Sequence, residues 1–414
     1  MHGCLLEITM PREVHYADSF QCIGAECEDN CCQGWSAYVD KATYKKCRAT
    51  PLLRRAAAEH FAVIPDAPDN FRYARIKFNA DNRCPFLTQD NLCMIHRQHG
   101  PEFLSKTCSR YPRALVRFDG KIEKALYLSC PEAARVVLLR ENLLPQDTSR
   151  YSAFVLHPAN VAILSGVGVS RLVRHFTLDL LQDRTYPFWQ RLFLLGIVCR
   201  RVHELIDVQA PTAEIVALLG QYGTMAVEGS LRPQLDGIPA RPGLQLDLVL
   251  QLIQRRLRVE QPNERFACCV GEFLQAIGYS PEKPLADAAA RYHNAARRYE
   301  IVAQAFPHLL ENYAINYLFR TRFPFADLPG HMQRSSDPLT SYLLLALQYR
   351  LLHSLLIGAA AWHGETFSTV HAIRVAYLFA RAVEHNIPYF DELLTFAHSP
   401  ELHNMDAFAV LLRV

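Results

Sequence analysis

Apolar residues in the later part of the chain recur at intervals of three and four. In residues 244–260 these are Leu246, Val249, Leu250, Ile253 and Leu257, the period of an amphipathic helix. Residues 307–319 repeat the pattern with Leu310, Tyr313, Ala314, Tyr317 and Leu318. Pro307 suits a first helical position and Pro324 stops any continuation. The stretch 343–362 is apolar apart from interruptions such as Gln348, Arg350 and His353, which predicts a buried core helix rather than a membrane span. Thr340 or Ser341 would cap it and Gly364 would end it. A further helix is expected from about Ser368 to Glu384, stopping before Pro388. The Pro/Gly-rich residues 229–243 read as a long connection.

The earlier part has a different texture. Its segments are short and mixed, and turn residues crowd 63–70 (VIPDAPDN) and 80–83 (ADNR). The composition changes near residue 145. The expected fold is mainly α: an irregular, cysteine-rich metal-cluster domain over 1–145 and an all-helical domain over 146–414. Two domains are also the default for 414 residues.

Charge narrows the function. With 44 basic and 41 acidic side chains the formal net charge is +3, which argues against a dedicated nucleic-acid binder. The N-terminus MHGCLLEITM lacks the basic and apolar regions of a secretory signal. The expectation is a cytoplasmic protein without a membrane partner, in a compartment that keeps thiols reduced.

Ten of the 13 cysteines precede residue 145. Eight of them form a pattern: Cys22-x4-Cys27-x3-Cys31-Cys32, then Cys84-x8-Cys93-x14-Cys108-x21-Cys130. Thiolates bind zinc or iron tightly, and four suffice for one zinc ion or one cubane cluster. No Cys-x2-Cys pair occurs, which lowers the zinc reading. Proline follows Cys84 and Cys130, as it follows the last cysteine of the bacterial ferredoxin run, which points weakly to iron–sulfur. Cys31 and Cys32 diverge in direction, so one of them can be a ligand and the other a packing thiol. Gly34-Trp35 would supply a turn and an apolar cover. Cys199, Cys268 and Cys269, with Cys4 and Cys47, read as small buried hydrophobes.

The stretch 20–35, FQCIGAECEDNCCQGW, together with Cys84-Pro85-Phe86-Leu87 and Cys108-Ser109-Arg110-Tyr111-Pro112-Arg113, resembles the flagellin lysine-N-methylases. Glu311-Asn312-Tyr313-Ala314-Ile315-Asn316-Tyr317 followed by Phe323-Pro324-Phe325 extends the resemblance into the C-terminal half. The resemblance implies an S-adenosylmethionine-dependent methylase of flagellin lysines with a 4Fe–4S cluster in its N-terminal part. It also implies that the enzyme is not of the common sheet-based type. The chain agrees, because its one glycine-rich candidate, Gly166-Val167-Gly168, lacks a strand–turn–helix context.

A methyl-donor site would then lie on helices. On one helix Asn312 and Asn316 share a face, and Tyr313 and Tyr317 share a neighbouring one. Asn312, Asn316 and Tyr317 are the candidates for gripping the donor. Tyr313 or Tyr317 would orient the lysine amine and Glu311 would accept its proton. The competing readings are core tyrosines with structural asparagines at this helix, and, for the whole chain, a metal-binding or redox protein without methyltransferase activity.

Overall fold

The computed structural model describes residues 16–34, 37–67, 69–145, 151, 168–261, 263–327 and 336–413. Cys4, Trp35 and the Gly166-Val167 pair lie outside the described residues.

The cysteine-rich part is not irregular throughout. It holds a three-stranded antiparallel sheet of β1 (Tyr38–Val39), β2 (Phe61–Val63) and β3 (Ala74–Ile76), in the order β1-β3-β2. It also holds a hairpin of β4 (Arg113–Phe118) and β5 (Lys121–Leu126). Asp119 and Gly120 at the hairpin turn both have positive φ, 49° and 77°. An Asp-Gly pair accepts this conformation at little cost and matches the twist of the flanking strands. Helices α1 (Lys41–Ala49), α2 (Pro51–His60), α3 (Met94–His99), α4 (Lys106–Arg110) and α5 (Pro131–Leu138) fill in between. Asp40 caps α1 by accepting from the Thr43 amide at 3.1 Å, and its other oxygen takes the Lys106 amide at the start of α4 at 3.0 Å.

Among the described residues twelve α-helices follow: α6 (Val169–Leu181), α7 (Phe188–Asp207), α8 (Thr212–Glu228), α9 (Arg232–Asp236), α10 (Pro242–Val259), α11 (Glu264–Ala276), α12 (Leu285–Ala303), α13 (Leu309–Thr321), α14 (Pro338–His363), α15 (Thr369–Phe379), α16 (Ile387–Ala397) and α17 (Met405–Leu412). A single π-helical turn, Ala380–Glu384, extends α15. The helix expected over 244–260 is α10, and that expected over 307–319 is α13, which starts two residues later than Pro307. The connection expected over 229–243 contains the short α9. The expected helix from Ser368 is present, but its last turn is the π turn.

Apolar side chains collect in two cores. The smaller gathers Val39, Cys47, Leu53, Ala57, Phe61, Ala74, Ile76, Phe86 and Ile95 from the three-stranded sheet, α1, α2 and α3. The larger joins Tyr16, Ala17 and Phe20, the inner face of the hairpin and α5 to the helices from α6 onward. At its centre lies α14, long and apolar enough to cross a membrane but with 94% of its apolar window buried in the protein. A helix that is hydrophobic all round needs neighbours on every side, and α7, α11, α12, α15 and α16 pack on it. Its cap is Asp337, which accepts from the Thr340 amide at 2.9 Å, rather than Thr340 or Ser341; Gly364 does end it.

Where α14 crosses α11 the backbones nearly touch. A Cβ on Gly358 would stand 2.7 Å from the Phe273 Cα, and backbone cannot move aside as a side chain can. Gly358→Ala is therefore expected to cost about 1–3 kcal/mol, the range for overpacking a core. A thermal melt should show a lower midpoint with an unchanged helical spectrum at low temperature.

A candidate metal centre lined by eight thiols

All eight cysteines of the pattern, Cys22, Cys27, Cys31, Cys32, Cys84, Cys93, Cys108 and Cys130, line one cavity of about 380 Å³. Local backbone chemistry puts them there. The Cys84 amide donates to the Cys32 carbonyl at 2.8 Å, and the Gly34 amide to that of Asn82 at 3.0 Å, which zips the double-cysteine loop to the turn before Cys84. The Asn30 side chain accepts from the Cys32 amide at 3.0 Å and tightens the same loop. Cys93 bridges to Leu87 and caps α3, while Cys130 caps α5. Ser105 caps α4 and fixes Cys108 by accepting its amide at 3.1 Å.

Most of these sulfurs meet donors. Backbone N–H groups point at Cys27 from Asp29, at Cys84 from Phe86, at Cys93 from Ile95 and His96, and at Cys130 from Glu132 and Ala133. Such donors favour the thiolate that metal ligation requires. Cys32 shares its S–H with the sulfurs of Cys31 and Cys84. That contact draws the Cys31 thiol down to about 7, lowers Cys84 and raises Cys32. Burial outweighs the donors at Cys27, Cys93, Cys108 and Cys130 and raises their thiols, the last two to about 12. None of the twelve described cysteines is in a disulfide.

Eight thiols on one cavity are a donor set of the kind that holds zinc or iron, and among the described residues no three His, Cys, Asp or Glu side chains converge as the ligands of one ion do. Of the other cysteines, Cys47, Cys199 and Cys269 are buried as expected; Cys268 is exposed, so it is not a core thiol. A second cavity of about 310 Å³, between α7, α9 and α17, is lined mainly by apolar side chains such as Phe193, Leu235 and Met405.

The large helical body reaches into the thiol cavity through Arg381, on the π turn. Its Nη1 donates to Asp29 Oδ1 at 2.6 Å, its Nη2 to the Asp29 carbonyl at 2.7 Å, and its Nε to the Ser129 carbonyl at 2.8 Å. Arg265 of α11 holds the other Asp29 oxygen at 3.0 Å. The loop between Cys27 and Cys31 is thus clamped from two helices. Ser129, next to Cys130, is hydrogen-bonded to Tyr111 at 2.9 Å and to His385 Nε2 at 2.8 Å. Sequence reasoning missed Asp29, Ser129, Arg265 and Arg381. An aspartate between two cysteines was the one local signal, and nothing in the chain marks its arginine partners.

The α13 residues stand elsewhere. Glu311, Asn312, Tyr313, Asn316 and Tyr317 are all at most 2% exposed, and none lines the thiol cavity. Glu311 is paired with Arg191 at 2.6 Å and Arg184 at 2.8 Å. Asn312 donates to the carbonyls of Val137 at 2.9 Å and Arg140 at 2.6 Å. Asn316 accepts from the Leu126 amide at 3.1 Å and the Tyr16 hydroxyl at 2.8 Å, and donates to the Leu126 carbonyl at 2.9 Å. The Tyr313 hydroxyl donates to Glu384 at 3.2 Å, and that of Tyr317 accepts from Gln348 at 3.3 Å. Burial holds both phenols above their usual pKa. The structure brings these five together with the hairpin, α5 and the buried arginines, and not with the thiols.

Residues 174–411 match the family described as the FliB lysine N-methylase C-terminal domain. Over 400 residues the chain is 26% identical to proteins named lysine-N-methylase from Salmonella typhimurium and Salmonella choleraesuis, covering 92% of this chain and 93% of each relative. It is 34% identical over 135 residues to the flagellar biosynthetic protein FliU of Salmonella muenchen, covering 32% of this chain and 78% of that protein. No solved structure matches.

Removing either clamp should be measurable. Arg381→Ala leaves Asp29, whose side chain is 6% exposed, facing only Arg265, and breaking a buried pair costs about 3 kcal/mol. Chemical denaturation should show that loss. Glu311→Gln strands Arg191, whose side chain is 5% exposed, and a drop of about 3 kcal/mol is expected by the same measurement. A fully stable Glu311→Gln protein that had lost methylation alone would instead return Glu311 to the chemistry.

Proposed function

Because the chain belongs to the FliB lysine N-methylase family and is a protein-lysine N-methyltransferase, we propose that it methylates flagellin lysines with S-adenosylmethionine as donor. In this reading the eight-thiol cavity holds an iron–sulfur cluster of the 4Fe–4S type, in the reducing cytoplasm. The observation that carries the metal reading is the meeting of eight thiols, dispersed over 109 positions of sequence, on one cavity. The substrate reading is supported by the name of the FliU relative, a flagellar biosynthetic protein, and by the motif resemblance.

The reaction sets physical requirements. A lysine ammonium with a pKa of about 10.4 has no lone pair at neutral pH. It must first lose its proton, which desolvation in a closed site assists. The amine nitrogen then bonds to the methyl carbon as the carbon–sulfur bond breaks, and the sulfonium leaves as a neutral thioether. Of the two cavities described above, the thiol cavity carries more polar side chains on its mainly apolar walls, Asp29, Asn30, His96, Arg113 and Arg381 among them. Donor and amine are placed at its mouth on that ground. When bound, a cluster held by these thiols would supply an electron source or a Lewis-acidic iron. The chain's own part is to fix the loop through Arg381 and to exclude water with Phe20, Phe86 and Leu104.

Incubating the anaerobically purified protein with methyl-labelled S-adenosylmethionine and purified flagellin tests this directly. Label on flagellin lysines is expected, together with a brown protein carrying about four irons and four sulfides per chain. Label on another protein only would overturn the substrate reading. A colourless protein with stoichiometric zinc and no sulfide would overturn the cluster.

A further inference from the structure

We propose that the outer face of α1 and α2 docks the protein substrate, and that the substrate surface it fits is acidic. This rests on the lysine-methylation reading above and adds the kind of surface that carries the target lysine.

The face begins in the sequence. From Lys41 to His60 the two helices hold Lys41, Lys45, Lys46, Arg48, Arg54 and Arg55 against a single acid, Glu59. All six cations are exposed. Residues 37–110, which build the small core, carry 13 basic and seven acidic side chains. Their formal +6 exceeds the +3 of the whole chain, so the rest of the protein is net acidic and the positive charge is local.

Folding concentrates that charge. Lys41, Lys45 and Arg48 follow one another at i, i+4 and i+7 and form one stripe on α1. Arg48 Nη1 donates to the Arg54 carbonyl and Arg54 Nε to the Arg48 carbonyl, both at 3.3 Å, so the corner between the helices joins the stripe to Arg54 and Arg55. Lys46 lies on the flank, where it donates to the Glu102 carbonyl at 3.0 Å and sits 4.0 Å from the Phe103 ring centre.

The six charges are uncompensated. Among the described residues none of them meets a carboxylate, whereas Arg174, Arg191, Arg320 and Arg381 each do. Glu59 stands beside His60 at 3.9 Å instead. Like charges one helical turn apart repel. Lys41 also stands in the first turn of α1, which holds no acid and where the helix dipole disfavours a cation. The face thus works against the folded state, and an anionic surface laid on it relieves that repulsion.

Position selects a protein as the partner. Thr43 of α1 lines the thiol cavity from within, as does Phe61 where α2 ends, while the cations point outward from the same helices. A protein held on the outer face is held beside the cavity. Two other polyanions fit less well. The bases of a nucleic acid need rings to stack on, and the one aromatic of the two helices, Tyr44, is half-buried against Phe61 and Tyr73. An anionic membrane needs a broad apolar face beside the charge, and Leu52, 83% exposed, is the one large apolar side chain that α1 and α2 expose.

The test compares the parent with Lys45→Glu/Arg55→Glu, two positions whose side chains make no hydrogen bond, and with Lys283→Glu, an exposed control on the helical body. Each is the full chain purified without oxygen, matched to the parent in thermal melt and metal content. Initial rates are measured against flagellin and against S-adenosylmethionine. The double variant should raise the KM for flagellin about tenfold with little change in kcat or in the KM for S-adenosylmethionine. Lys283→Glu should match the parent. The parent's KM for flagellin should rise with added salt, and the double variant's should rise less. A folded double variant with the parent's KM and salt dependence would overturn the docking face, as would a loss confined to kcat. So would an unchanged flagellin KM in a double variant that no longer sediments with RNA, with phosphatidylserine vesicles or as a dimer, where the parent does. A parent that labels a protein other than flagellin would overturn the flagellin reading, and the same KM comparison on that protein then decides the docking face.

Discussion

Two buried side-chain amides on α13 hold the architecture together. Asn312 and Asn316 are enclosed by apolar side chains, and a buried amide without partners costs a few kcal/mol. Their partners are backbone groups of other elements: the end of α5 for Asn312, and both polar groups of Leu126 in β5 for Asn316. Asn316 thus extends the ladder of the hairpin by one residue. Hairpin and α5 are fixed against the helical body, and with them Cys130 and the strand that follows Pro112. The position of the thiol cavity follows from that attachment.

The cavity lies where the small core meets the large one, and each side contributes a different kind of rigidity. The small core contributes backbone: short strands, turns and caps that leave sulfurs at fixed points. The large core contributes charge, in the guanidinium groups of Arg381 and Arg265 on a nearly buried carboxylate. Such a pair repays its desolvation only when its hydrogen-bonding groups are well partnered, and each of the three Arg381 nitrogens meets a carbonyl or carboxylate oxygen. The π turn carries Arg381, and one-turn π segments recur at functional sites because the extra residue re-aims a side chain.

The sequence made the chemistry of this site legible more readily than its geometry. Eight thiols gathered in one part of a chain have few uses, so spacing alone singled out the residues that line the cavity. Helical periodicity likewise placed α10, α13 and α14 to within a few residues. What periodicity could not reveal was the direction of polar residues on those helices. Glu311, Asn312, Asn316 and the two tyrosines look from sequence like a polar patch fit for a ligand. They are instead inside, each bonded to a partner distant in the chain, and no local pattern distinguishes a polar face toward solvent from one toward backbone. The strands of the small sheet were also illegible, being two or three residues long, too short to show alternation.

Asp29 and Arg381 are 352 positions apart, and that separation governs how the protein is born. At translation speeds of about 5–20 residues per second, roughly 20–70 s pass between the synthesis of the two. Throughout that interval Cys22, Cys27, Cys31 and Cys32 are outside or near the exit of the ribosome with their loop untied, open to oxidants and to stray metal ions. The final form of the thiol cavity is therefore an event of the finished polypeptide, and its yield depends as much on how well the thiols are kept reduced during elongation as on the final fold.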